Sequence, residues 1–322
     1  MSDTGEEWQM ARRRKGAARK PKTLLGSTAS TCCQEQLDVG KTVKRIRDTA
    51  SELRCEEFWQ DWKGQLQAAG SSSPSKPPEN KDTEDPTEQP DKGREDRLCQ
   101  QLECVCYGLG SFSSCAAARY QLAMLLLLLD AGQIPLEDCS VFDPVFSTGE
   151  REVLRNLGLT VLTENEEGKR LATKPTLFYL MHCGKALYNN LLWKNWSTQC
   201  LPLMTIVGNG FNGMRERFVQ DTNKRDDLKE REEVKFALCC ANRTIGREFE
   251  RDYSYISLAV DVCEERRLLC PSRLIDVFSD TAVITFPTSS LYRLPQSTWA
   301  EPQEPQYQHC PDLEIILREK QS

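Results

Sequence analysis

The chain has 322 residues, 39% of them hydrophobic, and a formal net charge of −6. That length admits about two domains, or one large domain with tails, and the acidic balance argues against a general binder of nucleic acid or anionic membrane. Fifteen cysteines, with no apolar leader and no C-x-x-C spacing, read as reduced thiols of a cytoplasmic protein rather than a disulfide frame or a zinc site.

Residues 1–33 are polar, and Arg12, Arg13, Arg14, Lys15, Arg19, Lys20 and Lys22 cluster there. The segment fits a basic disordered tail, or else a nuclear import signal or RNA-contacting arm. Nuclear location and nucleic-acid contact are expected only through it. In residues 34–69, Leu37, Val43, Ile46, Leu53, Trp62 and Leu66 recur near helical spacing. They predict an amphipathic helix or helix pair that docks on the core or on a partner. Residues 70–97 are rich in Pro, Ser and acid and read as a disordered linker.

An α/β domain is expected over 98–290. Leu102–Tyr107 reads as a strand and Phe112–Asp130 as a helix, whose Leu122–Leu129 run is too short to span a membrane. Ser140–Asp143 is a short strand. Ser147 or Thr148 caps a helix through Leu157, with Glu150 and Glu152 in its first turn, and Gly158 ends it. Leu159–Leu162 and Thr176–Met181 are further strands, Lys185–Trp196 a helix and Leu203–Val207 a strand. The alternation predicts a Rossmann-like, three-layer α/β fold with a mostly parallel sheet, and the near-continuous apolar strands suit a sheet buried on both faces. Beyond it, 221–235 reads as a charged, solvated helix or loop, Thr281–Phe286 as a late strand and 291–322 as a C-terminal tail.

Ligands of open parallel sheets gather outside the carboxyl ends of the strands. Four such ends carry glycine or polar residues: Gly108 with Gly110, Asp143, His182 and Asn209. Gly108 and Gly110 permit a tight turn, and Ser111, Ser113 and Ser114 offer hydroxyls as helix N-caps. A strand, a glycine turn and a helix N-terminus in that order can bind the phosphate of a nucleotide-like ligand. The alternative is that the glycines only allow close helix–strand packing, since Ser113 stands where the dinucleotide fingerprint has its third glycine. Asp143 occupies the place of a ribose-binding carboxylate, although it follows Gly108 at a longer spacing than usual. His182 suits acid–base or ligand-orienting work, or is a satisfied histidine at a strand end. Asn209 is a ligand contact or a turn residue. The chain has no G-x-S-x-G, H-E-x-x-H or Walker lysine, so binding is expected rather than a named reaction. Cys270-Pro271 and Cys310-Pro311 are candidate thiolate ligands for haem, set against coincidence in a cysteine-rich chain.

Cys106-Tyr107-Gly108-Leu109-Gly110-Ser111-Phe112, Arg119-Tyr120-Gln121-Leu122-Ala123, Phe142-Asp143-Pro144-Val145-Phe146, Leu177 through Cys183, and Ile206-Val207-Gly208-Asn209 together resemble the sensitivity-to-red-light-reduced family. The resemblance is strongest over 98–220 and faint beyond, chiefly at Val277-Phe278-Ser279-Asp280. Two family features are altered: the proline before His182 is replaced by Met181, and a serine after Asn209 by Gly210. The resemblance implies a regulatory protein linked to circadian clock gene expression and haem biosynthesis, acting through a small ligand or protein partners. The alternative is a nucleotide- or adenosylmethionine-dependent enzyme that uses the crevice at the strand ends.

Overall fold

The computed structural model describes residues 37–71, 102–217, 248–299, 302–307 and 315. The expected basic tail 1–33, most of the linker (72–97), the charged stretch 221–235 and Cys310 lie outside the described residues.

Seven strands form one sheet, β1 (Glu103–Tyr107), β2 (Cys139–Phe142), β3 (Thr160–Val161), β4 (Thr176–Leu180), β5 (Met204–Asn209), β6 (Glu264–Arg267) and β7 (Thr281–Thr285). Their order is β3-β2-β1-β4-β5-β7-β6. The first five are parallel, β7 runs antiparallel to β5, and β6 runs antiparallel to β7. The expected α/β architecture is therefore present, with one reversed strand between the fifth and the sixth.

The strands are apolar at nearly every position because both faces are covered. Side chains alternate across a strand, so Cys104 and Cys106 join one core with Leu177, Tyr179 and Val207, while Val105 and Tyr107 join the other with Phe178, Leu180 and Ile206. The first core is closed by α1 (Val39–Arg54), α2 (Glu57–Ser71), α3 (Ala116–Ala131) and α4 (Thr148–Leu157), the second by α5 (Lys185–Lys194) and α6 (Ser254–Val260). The run Leu122–Leu129 is explained by this layering. α3 lies between the sheet and the α1–α2 pair, so residues on most sides of it are buried.

The N-terminal helices dock on the core. In α1, Val43, Ile46, Thr49 and Leu53 are buried along one stripe, and Asp38 caps the helix by accepting from the Lys41 amide at 2.9 Å. α2 inserts Trp62, which is 0% exposed. Its indole packs edge-on against Phe278 at 5.2 Å, and Nε1 donates to the Leu269 carbonyl at 2.8 Å. The α4 boundaries follow the expected signals: Ser147 and Glu150 form a capping box, and Gly158 ends the helix at φ 97°.

Two elements differ from expectation. Helix α3 starts at Ala116, four residues later than the pattern predicted, and its N-cap is Cys115, without a side-chain capping bond. The hydroxyls of Ser111 and Ser113 are instead engaged by Glu150. The chain after the prolines at 295 is also more than a tail. Residues 302–307 lie along α5, where Trp193 donates to the Pro302 carbonyl at 3.0 Å and the Tyr307 hydroxyl bonds Asn190 at 2.8 Å.

Candidate functional site

The carboxyl ends of β1, β2 and β4 meet at the point where the sheet order turns from β1 back toward β4. This is the crevice at which open α/β sheets place ligands. A cleft of about 280 Å³ opens there, close to the lower end of the usual range for small-molecule sites. Gly108, Asp143 and His182 line it together, with Val145, Cys183 and Leu187 among its other walls. Three of the four strand ends named from sequence are thus brought to one cavity.

Gly108 has φ 66°, a region that costs an L-residue about 1–2 kcal/mol. A Cβ there would lie 2.5 Å from Cys183 Sγ. The glycine therefore lets the β1 turn pass under the β4 turn, and the Cys183 thiol, 3.3 Å from the Tyr107 carbonyl, donates to it. Gly108→Ala is expected to lower stability by about 2 kcal/mol or more. Adding Cys183→Ala should return the steric part but not the backbone part, read from urea midpoints of the four chains of the cycle.

Asp143 is 6% exposed. Its Oδ2 accepts from the Gly110 amide at 2.7 Å and its Oδ1 from the Val145 amide at 2.9 Å. Oδ2 therefore ties the glycine turn to the end of β2, while Oδ1 closes the turn that follows β2. Glu150, on α4, does the same one step further along. Its Oε1 accepts from the Ser111 hydroxyl at 2.8 Å, the Ser113 amide at 3.0 Å and the Ser113 hydroxyl at 2.8 Å, while Oε2 accepts from the Ser147 amide at 3.0 Å. Burial opposes its ionisation, but these bonds outweigh burial and hold the carboxyl below its ordinary pKa. The Gly110 and Ser113 amides and the Ser111 and Ser113 hydroxyls, donors that an incoming phosphate could use at this turn, are thus paired with the protein's own carboxylates.

His182 is exposed and adopts φ 54°, a left-handed conformation in which histidine is several-fold enriched among non-glycine residues. That backbone turn replaces a glycine and puts the imidazole at the cleft mouth. Tyr107 closes the floor. Its hydroxyl donates to Glu166, which also pairs with Arg170 at 3.0 Å. Burial, together with the Glu166 carboxylate, pushes the phenol far above its usual pKa and keeps it protonated.

The remaining sequence candidates lie elsewhere. Gly110 and Ser111 belong to the turn but are not among the cleft walls. Asn209 is 8% exposed, and its backbone N–H donates to the Tyr188 hydroxyl at 2.8 Å on the α5 side of the sheet. That hydroxyl in turn donates to the Leu180 carbonyl. Cys270 is half-buried, with Sγ 3.5 Å from the Leu274 carbonyl. Burial pushes its pKa up against a backbone hydrogen bond from Phe278, which favours the thiol over a thiolate ligand. Among the described residues no group of three or more His, Cys, Asp or Glu has the disposition of a metal site, and no helix is long and apolar enough to cross a membrane.

Sequence reasoning missed part of the wall. Asn165 and Gly168 reach the cleft from the loop after β3, and Ile315 from the C-terminal segment. That loop reads simply as acidic and polar, so no local signal marks it. Val145 and Cys183 were within reach, because each lies within two residues of Asp143 or His182.

The SRR1 domain model matches residues 85–285, well past the region where the motifs are easily seen. The chain is 38% identical over 229 residues to the SRR1-like protein of Mus musculus, covering 65% of this chain and 85% of that one. It is 40% identical over 117 residues to Protein SENSITIVITY TO RED LIGHT REDUCED 1 of Arabidopsis thaliana, 36% of this chain and 42% of the plant protein. It is 31% identical over 202 residues to the SRR1-like protein of Drosophila melanogaster, 60% of this chain and 61% of the fly protein. No solved structure matches significantly.

Proposed function

The chain belongs to the SRR1 family, and from that membership we propose that it is a regulatory protein whose output reaches circadian gene expression and haem biosynthesis through a small ligand held at the switch-point cleft. The observation that carries the ligand part is the convergence of Gly108, Asp143 and His182, from three separate strand ends, on one cavity. The plant relative is named for its red-light phenotype, which supports a signalling role. Protein partners would then read the ligand-bound state.

Val145→Trp tests this reading. Val145 is 55% exposed and lines the cleft, so a larger side chain fills the cavity without entering the core. Native mass spectrometry of the wild-type protein should find a co-purifying small molecule that the variant lacks. In cells deprived of the protein, the variant should fail to restore the period of a clock reporter. A folded Val145→Trp chain that restores the rhythm fully would remove the cleft from the function.

A second reading, an adenosylmethionine- or nucleotide-dependent enzyme, is favoured by one specific observation. The cleft lies at the switch point between β1 and β4, the place where doubly wound α/β sheets bind nucleotide-like ligands. This is a likeness of fold, and a fold hosts many functions. Release of adenosylhomocysteine on incubation with adenosylmethionine and a cell extract, abolished by Val145→Trp, would favour the enzyme.

A further inference from the structure

The chemistry of the cleft narrows its ligand, and the inference rests on the reading of that cleft as a binding site. Phosphate-binding α/β proteins leave the amides of the glycine turn and the following helix N-terminus open to an anion. Here part of the turn's donors is spent internally. The Gly110 amide bonds Asp143, and the Ser113 amide with the hydroxyls of Ser111 and Ser113 bonds Glu150. An incoming phosphate would have to displace two carboxylates and then sit beside them.

No Lys or Arg lines the cleft among the described residues. The two basic side chains on its bordering loop are held by acids: Lys169 lies 2.6 Å from Glu167 and 2.7 Å from Glu304, and Arg170 pairs with Glu166. Like-charge placement of this kind excludes a polyanion. The remaining walls suit a flat, uncharged group. Phe142, Pro144, Val145 and Leu187 give apolar surface, and Asn165 and His182 give hydrogen-bonding edges.

We infer that the switch-point cleft takes a phosphate-free nucleoside without net negative charge, the class to which adenosine, adenosylmethionine and adenosylhomocysteine belong, and rejects mono-, di- and dinucleotides. The Asp143 carboxylate in the wall, with no lining cation among the described residues to offset it, sets this preference, and the apolar wall at Val145 carries the base.

The test is thermal unfolding of the full chain with adenosine, adenosylmethionine, adenosylhomocysteine, AMP, ADP and NAD, each at the same concentration. At saturation, at least one phosphate-free compound should raise Tm by about 5 °C, and the phosphorylated ones by less than a fifth of that. Val145→Lys puts a cation on the exposed rim. It should narrow the preference at least tenfold, strengthening ADP and weakening adenosylmethionine. A wild-type chain stabilised equally by ADP or NAD overturns the inference, as does a preference that Val145→Lys leaves unchanged. Native mass spectrometry separates the two levels. A phosphorylated molecule that co-purifies and is lost in Val145→Trp leaves the cleft as a binding site but ends this ligand class. A protein that binds no small molecule by either method ends both.

Discussion

Trp62→Ala should lower the stability of the whole α/β domain by about 3–5 kcal/mol, the usual cost of emptying a fully buried aromatic site. The indole is 0% exposed and rests against Phe278 and Phe58. Phe278 sits just before β7 and belongs to the same core as the sheet residues Tyr179 and Val207. The loss should appear as one cooperative transition at a lower urea midpoint, not as a separate early melting of the N-terminal helices. Trp62→Phe keeps most of the packing but loses the bond to the Leu269 carbonyl and part of the ring volume, so it should cost about 1–2 kcal/mol. The result matters because α1 and α2 precede the matched range 85–285. They nonetheless cover α3 on the side away from the sheet, and a chain trimmed to the matched range should lose that cover and aggregate through Leu122–Leu129.

Glu150→Ala should have an effect of similar size, about 3–4 kcal/mol, because it removes the carboxylate to which the Ser113 and Ser147 amides and the Ser111 and Ser113 hydroxyls donate. Its pH signature distinguishes it from a packing defect. The folded carboxyl lies below its unfolded value, which is about 4.3. Its contribution is therefore complete above that pH and disappears as pH falls through the lower folded pKa. In Glu150→Gln this part of the acid unfolding curve should flatten, while the difference from wild type at pH 7 persists. A wild-type profile and the Glu150→Gln profile that run parallel from pH 7 to pH 3 would rule out the ionised clamp.

The parallel half of the sheet was legible from residues near one another in sequence. An apolar run closed by Gly108, Pro144 or Gly184, followed by a helix pattern, is a local signal, because backbone sterics and burial on both faces act within each segment. The capping box at Ser147 and the stop at Gly158 are likewise local, since donor and acceptor are three residues apart. Strand β6 was not legible. Its sequence Glu264-Glu265-Arg266-Arg267 carries no apolar alternation, because an edge strand has one neighbour and a solvated flank. The reversal of β7 was hidden for a related reason: an apolar strand reads the same in either direction.

The site divides in the same way. Its strand-end positions followed from where turns interrupt apolar runs, so the sequence determined by itself that Gly108, Asp143 and His182 stand at strand ends. Whether those ends share a cavity depended on strand order, which the tertiary structure decided by placing β1 between β2 and β4. The role of Glu150 depended on the tertiary structure as well. Within its own helix it is a capping residue, and only the packing of α4 beside the glycine turn brings its carboxylate to Ser111 and Ser113, 39 and 37 residues away. A side chain's charge and size are written in its own position, but the partner that consumes them is set by how distant segments pack.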